Sequence, residues 1–220
     1  MKRLATAVVF DFDGVLANSE PLHLMACQEV FSSIGVELTR DDYYAHYLGY
    51  DDREMFRRLG ERQGLALTGE KVGSLIEAKA RVFDEVIERT DVLYPDAADC
   101  IRALAQQFPL GIASGALRHE IEMILARARL DHCFRFIVAS GDTPNSKPWP
   151  DPYVRAAQLH GVEAAECVAI EDSRWGIQSA KAAGLKCVGI TTSYPAEQLR
   201  AADRVVGSLA EFTPDLIRAL

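Results

Sequence analysis

The sequence has 220 residues, of which 49% are hydrophobic, and its 24 basic and 32 acidic residues give a net charge of -8 at pH 7. Length and composition allow one sizeable core with a smaller appended unit, while the acidic balance argues against general nucleic-acid binding, which needs lysine and arginine to neutralise phosphates. No segment approaches the roughly 20 apolar residues of a membrane span, and the N-terminal apolar run is broken by acids, so we expect a soluble, cytoplasmic protein.

Short apolar runs rich in valine and isoleucine recur along the chain and predict strands buried on both faces, as in a parallel sheet. They are AVVF (7–10), LGIAS (110–114), FIVAS (136–140), CVAIE (167–171), CVGIT (187–191) and RVV (204–206). Helical periodicity fills the intervals at 96–108, 117–130, 151–160 and 174–183, and Gly161 and Gly184 are typical of helix C-terminal caps. The alternation predicts an α/β fold with a doubly wound, Rossmann-like parallel sheet.

The stretch between the first two predicted strands lacks strand-like alternation and carries apolar residues at helical intervals instead. We therefore predict a small helical cap domain at 19–92, inserted after the first strand, and an α/β core formed by 1–18 and 93–220. Hinges are expected near Ala17 to Glu20 and near Asp91 to Tyr94. The five cysteines include no C-x-x-C pair, and we interpret them as small core residues in a reducing compartment.

Chemically useful side chains follow four of the predicted strands. Asp11 and Asp13 follow AVVF, Ser114 and Gly115 follow LGIA, Lys147 lies after FIVAS, and Glu171 and Asp172 end CVAIED. Each has an ordinary explanation alone, since Asp-Gly is a frequent turn, a serine caps helices and a loop lysine is usually solvated. In open α/β sheets, however, ligands bind beyond the carboxyl ends of the strands, and the coincidence at one edge indicates a site.

Phosphoryl transfer is the chemistry that needs this set of residues. Several close carboxylates repel one another unless a cation lies among them, and Mg²⁺ prefers a few carboxylates together with phosphate oxygens and waters. One carboxylate can attack phosphorus, and a second can protonate the leaving oxygen. A lysine, a serine and backbone N–H groups can hold the transferring group.

At these residues the sequence resembles the haloacid dehalogenase superfamily of phosphatases and phosphomutases. The resemblance rests on DFDGVLANSEPLH, IASG, SKPWPDPY and IEDSRWGIQSAKAAGLKCVGI, in order and suitably spaced, and it covers most of the chain. The group most similar to it contains β-phosphoglucomutase and sugar-phosphate phosphatases, whose small mobile cap occupies the position of the helical insert.

The resemblance implies a role for each matching residue. It makes Asp11 the nucleophile and a ligand of Mg²⁺, and Asp13 the general acid/base, whose backbone carbonyl also binds the metal. Ser114, with the backbone N–H groups after it, including that of Gly115, binds the phosphoryl group, and Lys147 steadies it. Asp172 binds the metal, and Glu171 does so directly or through water.

Because a phosphatase and a mutase of this family share the same core residues, only the cap residues can distinguish them. Mutases of this family hold a second phosphate with a lysine and an arginine in a cap loop, but here Leu48 stands beside Gly49 in place of the lysine. Asp51 and Asp52 are expected to repel a distal phosphate, although Arg53 is available. His23 matches a histidine near the start of the cap and is a candidate for positioning Asp13 or the leaving group.

We therefore predict a Mg²⁺-dependent phosphatase that hydrolyses a small phosphorylated metabolite, a sugar phosphate in particular, through an aspartyl-phosphate intermediate. The alternatives are a β-phosphoglucomutase-type sugar phosphomutase and, from a different class, a phospho-accepting signalling domain, which needs neither a general acid nor a lid. We expect no nucleic-acid or membrane partner, and a monomer or weak homodimer.

Overall fold

The computed structural model describes residues 4–47 and 52–220, and the chain divides into two compact units. One unit contains Met1–Asn18 and Val92–Leu220, and the other contains Ser19–Asp91. In the described part of the chain, no helix combines the length and apolar character needed to cross a lipid bilayer.

A six-stranded sheet forms the centre of the first unit. Its strands are β1 (Ala7–Phe10), β2 (Leu110–Ala113), β3 (Phe134–Val138), β4 (Cys167–Glu171), β5 (Lys186–Ile190) and β6 (Arg204–Val206). They lie in the order β3-β2-β1-β4-β5-β6, and all neighbouring pairs are parallel. The predicted doubly wound α/β fold is therefore confirmed, with β1 between β2 and β4.

Burial separates the inner strands from the edge strands. Every residue of β1, β2 and β4 is buried, as their continuous apolar runs predict. The edge strands β3 and β6 are only partly buried, so the prediction of burial on both faces is wrong for them. The predicted run at 136–140 is also displaced, because β3 begins at Phe134 and ends at Val138, which leaves the last two predicted residues in the following loop.

Among the described residues, five α-helices accompany the sheet. They are α5 (Ala97–Ala105), α6 (Arg118–Arg127), α7 (Asp151–His160), α8 (Arg174–Ala182) and α9 (Pro214–Ala219), numbered after the four helices of the second unit. Helix α7 ends at Gly161, whose φ of 71° is the left-handed conformation that the sequence predicts for this cap. Helix α8 begins at a side-chain cap, since the Gly176 N–H donates to Ser173 Oγ at 3.0 Å.

The second unit is helical in its described residues and contains α1 (Glu20–Ser32), α2 (Arg40–His46), α3 (Asp52–Arg62) and α4 (Gly69–Ile87). It has its own apolar core, in which Phe31 and Phe56 pack edge to face with ring centroids 4.8 Å apart. Thr39 and Thr68 cap α2 and α4 by accepting backbone N–H bonds. Its role as a cap stays a prediction.

The two chain segments that lead out of and back into the first unit are hydrogen-bonded to each other. The Asn18 N–H donates to Val92 O at 2.8 Å, and the Tyr94 N–H donates to Leu16 O at 3.0 Å. Four of the five cysteines are buried and none forms a disulfide, which agrees with their interpretation as core residues, while Cys133 is partly exposed.

Candidate active site

Asp11 is the first residue after the central strand β1. Its backbone N–H donates to Ile170 O at 2.9 Å, which continues the pairing of β1 with β4. Asp11 is only 8% exposed, and its Oδ1 accepts from the Phe12 N–H at 2.7 Å and lies 2.9 Å from Lys147 Nζ. The sheet therefore fixes the backbone of Asp11 and leaves its carboxylate at the edge where α/β folds bind ligands.

Three of the predicted acids meet at this edge. Glu171 is the last residue of β4, and Asp172 follows it. One carboxylate oxygen from each of Asp11, Glu171 and Asp172 lies within 4.8 Å of the other two, and all three residues are buried. The strand-end position of these acids is the reason for their convergence, because β1 and β4 are neighbours and end at the same level.

The cluster holds more negative charge than its surroundings balance. Burial, followed by repulsion from Glu171, raises the pKa of Asp11 well above its usual range, and the nearby Lys147 only partly opposes this. Burial and the same glutamate raise the pKa of Asp172 to about 6. Oxygen ligands in such an arrangement suit a hard divalent cation, whose charge would relieve the repulsion. The donor set of this cluster could therefore hold Mg²⁺.

Lys147 supplies the positive charge within the cluster. Its Nζ lies 2.9 Å from Asp11 Oδ1 and 2.6 Å from Glu171 Oε1. Burial disfavours the ammonium, but the two carboxylates outweigh this effect and raise the pKa of Lys147. The lysine is therefore a permanent cation that links the nucleophile candidate to the acid of the neighbouring strand.

Glu171 has hydrogen-bond partners on both of its carboxylate oxygens. Its Oε1 accepts from Lys147 Nζ at 2.6 Å and from the Tyr153 hydroxyl at 2.8 Å. Its Oε2 accepts from the backbone N–H and the hydroxyl of Ser173, at 3.3 and 3.1 Å. Tyr153 lies within the SKPWPDPY motif but has no predicted role. The available signal is its hydroxyl, which needs a partner when buried.

Two glycines leave room for the acids. At Gly14, where φ is +77°, a Cβ would lie 1.9 Å from Asp172 Oδ2. At Gly176 a Cβ would lie 1.8 Å from Glu171 Oε1. Thr192, in the loop after β5, donates its hydroxyl to the Gly14 carbonyl. The close approach of a carboxylate to each Cβ position explains why glycine is required at both, and no sequence pattern predicts this requirement.

Asp13 lies in the turn that follows β1 and is partly exposed. It forms an isolated bridge with Ala17. The carboxylates of Asp172 and Asp13 contribute, after burial, to raising the pKa of Tyr94, which places Tyr94 in the electrostatic field of both acids. The second predicted acid follows Asp11 by two residues in the chain and has greater access to water.

Ser114 and Gly115 follow β2, the other neighbour of β1. Ser114 is buried, its N–H donates to Val138 O at 2.9 Å, and its Oγ accepts from the Ala116 N–H at 3.1 Å. A Cβ at Gly115 would meet no other atom within 4 Å. Crowding therefore does not require glycine at this position, and its predicted role rests on its backbone N–H alone.

The second unit contains a buried polar cluster around Lys79. The Lys79 side chain is 4% exposed, and its Nζ lies 3.0 Å from Asp52 Oδ2 and 2.9 Å from His23 Nδ1. The His23 ring stacks on Phe83 at a centroid distance of 4.2 Å. Burial and then the charge of Lys79 lower the pKa of His23 to about 3. Because an ammonium only donates, His23 Nδ1 must accept, and the ring proton is left on Nε2.

The predicted cap loop is only partly described. Leu48, Gly49 and Asp51 lie outside the described residues. Asp52 is the first residue of α3, and its carboxylate is paired with Lys79, which offsets its charge. The expectation that it would repel a distal phosphate stays a prediction. Arg53 is exposed and has no ion pair among residues 4–47 and 52–220.

Comparisons with known proteins identify the family of this chain. The haloacid dehalogenase-like hydrolases match residues 8–190 of this chain. Protein CbbY of Rhodobacter capsulatus is 33% identical over 195 residues, 86% of either chain. Hexitol phosphatase B of Escherichia coli strain K12 is 29% identical over 214 residues, 96% of either chain.

A solved structure is similar over the whole chain. The crystal structure of CbbY from Rhodobacter sphaeroides in complex with phosphate matches with a TM-score of 0.85 and 27% identity, and covers 99% of this chain and 100% of that chain. The family match spans most of the sequence and includes all four strand ends that carry the site. The chain therefore belongs to the haloacid dehalogenase-like hydrolases.

Proposed function

We propose that this protein is a Mg²⁺-dependent phosphatase that hydrolyses a small phosphorylated metabolite through an aspartyl-phosphate intermediate. The observation that carries the proposal is the buried Asp11 at the end of the central strand, 2.9 Å from Lys147 and grouped with Glu171 and Asp172. A buried nucleophile, a buried cation and two further acids match the needs of attack on an anionic phosphate.

In the proposed first step, an Asp11 carboxylate oxygen attacks phosphorus while Asp13 gives a proton to the departing alcohol oxygen. In the second step, Asp13 takes a proton from water, which attacks phosphorus and releases inorganic phosphate and the Asp11 carboxylate. The greater exposure of Asp13 supports this division of roles, since an acid that exchanges protons with substrate and water needs access to both.

The metal would be held by the Asp11 and Asp172 carboxylates and the Asp13 carbonyl. When bound, Mg²⁺ would offset negative charge on the nucleophile and the phosphate. The saturated hydrogen bonding of Glu171 supports contact through water rather than direct ligation. Ser114, the Gly115 N–H and Lys147 would hold the nonreacting oxygens of the transferring group.

We propose that His23 and Arg53 are contributions of the second unit to substrate recognition. The fixed tautomer of His23 supports a role as a neutral donor through Nε2, and the exposed guanidinium of Arg53 could bind a carboxylate or phosphate at the far end of a substrate. The substrate class is proposed to be sugar phosphates, because a relative is named a hexitol phosphatase and a similar structure was solved with phosphate.

A Mg²⁺-dependent screen of sugar phosphates, nucleotides and phosphoglycolate tests this proposal by release of inorganic phosphate. We expect turnover of at least one sugar phosphate, lost in Asp11→Asn and on chelation of the metal. Asp99→Asn, the same change at an exposed helix acid 92% accessible at its side chain, is the matched control and should retain full activity. No turnover of any substrate at saturating Mg²⁺ would contradict the proposal.

A sugar phosphomutase is the second candidate, and the pairing of Asp52 with Lys79 favours it by removing one expected source of repulsion. The two candidates share the same core chemistry and differ in the fate of the phosphoryl group. Conversion of β-glucose 1-phosphate to glucose 6-phosphate without net phosphate release would identify a mutase, whereas stoichiometric phosphate release identifies a phosphatase.

A further inference from the structure

The loops that follow β2 and β3 carry different parts of the proposed phosphate site. Ser114 is in the first loop, and Lys147 is in the second, nine residues after β3 ends at Val138. Backbone hydrogen bonds join the starts of the loops, from the Ser114 N–H to Val138 O and from the Ser140 N–H to Ala116 O, each at 2.9 Å. Side-chain hydrogen bonds add to this backbone connection.

Arg118 and Asp142 make that connection. Arg118 is the first residue of α6, and its Nη2 donates to Ile137 O at 2.8 Å and to Asp142 Oδ2 at 2.6 Å. The same Asp142 oxygen accepts from the Ala139 N–H at 2.8 Å. One guanidinium therefore joins the helix that follows the Ser114 loop to the end of β3 and to the turn that leads towards Lys147.

We propose that Arg118 and Asp142 are positioning residues. They fix the loop that contains Ser114 relative to the loop that contains Lys147, so that Ser114 and Lys147 contact the same phosphoryl group. This inference rests on the proposed phosphatase function. Neither residue is assigned a contact with the substrate. Their effect is on the distance between two groups that are attached to different strands.

The physical basis is the sensitivity of phosphoryl transfer to position. An ion pair as exposed as this one, with side chains 46% and 36% accessible, adds little to stability by itself. A displacement of about 1 Å between catalytic groups, however, can lower a rate by about 100-fold. Arg118 and Asp142 are therefore expected to affect turnover more than folding.

The chain offers a closely matched control pair. Lys181 lies 2.7 Å from Asp203, and their side chains are 36% and 37% accessible. Asp203 also accepts a backbone N–H at 2.7 Å, from Cys187 near the start of β5. The control pair thus has the same construction, a helix cation bound to an aspartate that caps a backbone N–H, but it lies at the opposite end of the strands from the site.

The test compares Arg118→Met and Asp142→Ala with Lys181→Met, using hydrolysis of p-nitrophenyl phosphate with saturating Mg²⁺. We expect kcat to fall about 10- to 100-fold in the first two variants with KM changed less than about threefold, and to stay within about twofold of wild type in Lys181→Met. The double variant should be no worse than the poorer single variant, because both changes break one connection.

Arg118→Lys should recover part of the lost kcat, since lysine can still reach Asp142 but lacks the planar fork that also reaches Ile137 O. Should Asp142→Ala fail to fold, Asp142→Asn, which keeps an acceptor oxygen, should fold and show a smaller loss. Values of kcat within twofold of wild type in both Arg118→Met and Asp142→Ala would overturn the inference while leaving the phosphatase proposal intact. Wild-type protein without Mg²⁺-dependent turnover of p-nitrophenyl phosphate or of any substrate in the metabolite screen would overturn both.

Discussion

The hydroxyl of Tyr153 provides a sharp test of how the acid cluster is held together. Tyr153 is completely buried, and its side-chain hydroxyl donates to Glu171 Oε1 at 2.8 Å. In Tyr153→Phe, that oxygen keeps Lys147 as a partner and loses one hydrogen bond. A hydrogen bond to a charged group contributes about 1.5–3 kcal/mol to stability. Part of this is offset because the variant no longer has to remove the hydroxyl from water on folding, so we expect the free energy of unfolding to fall by about 1–2 kcal/mol.

Urea unfolding measures the stability change, and steady-state hydrolysis of p-nitrophenyl phosphate measures the effect on the site. Tyr43→Phe removes a comparable hydroxyl bond to Glu20, at 2.5 Å in the second unit, and is the matched stability control. If about 1.4 kcal/mol of the lost interaction also stabilises the transition state, kcat falls about tenfold. Unchanged stability and unchanged kcat in Tyr153→Phe would refute the reasoning that this hydroxyl orients Glu171.

Three further predictions concern other parts of the chain. Gly14→Ala should lower kcat at least about tenfold in a Mg²⁺ titration, because the new Cβ displaces Asp172 and the residue needs a positive φ. The pKa of His23 is lowered to about 3 in the folded state, so below about pH 6.5 the unfolded chain binds more protons than the folded one. This histidine should therefore lower the free energy of unfolding by at most about 2 kcal/mol between pH 7 and pH 5, as measured by urea unfolding. The His23→Gln variant should lack this loss. Lys79→Met should raise the pKa of His23 in an NMR titration, since the lysine charge is the second cause of its depression; an unchanged pKa would contradict the pairing.

The inner part of the fold was predictable from residue type alone. The strands β1 and β4 have the bounds that their apolar runs predict, because uninterrupted burial leaves an uninterrupted signal. The edge strand β6 also has its predicted bounds, although it is only partly buried. Strand β3 was displaced by two residues because it is an edge strand. Its exposed Arg135 interrupts the apolar run, so the sequence signal begins only at Phe136.

The candidate site was predictable where it depends on strand ends. Asp11, Glu171 and Asp172 could be grouped from the rule that parallel strands end at one edge, and the structure brings them within 4.8 Å. The supporting residues could not be found in this way. Tyr153 lies on a helix face whose pattern predicts a core position. No sequence pattern indicates which buried carboxylate accepts a hydrogen bond from its hydroxyl.

The charge of Asp52 shows a second limit of the sequence. A run of two aspartates near a predicted phosphate subsite indicates repulsion when the residues are considered alone. In the folded unit, Lys79 reaches Asp52 from a helix that begins 17 residues later in the chain, and the two charges compensate. Pairing between helices depends on how they pack, which periodicity within one helix does not determine.

The central claim is that Asp11 accepts the phosphoryl group. Acetyl phosphate should phosphorylate the Asp13→Asn variant in Mg²⁺, because acetate leaves without a proton from residue 13, and the product should persist because no base activates water. Borohydride reduction of the acyl phosphate followed by peptide mass mapping locates the modified residue. We predict modification at position 11, and no modification when Asp11→Asn is added. A modified residue elsewhere, or no phosphoprotein while the wild type hydrolyses acetyl phosphate, would contradict it.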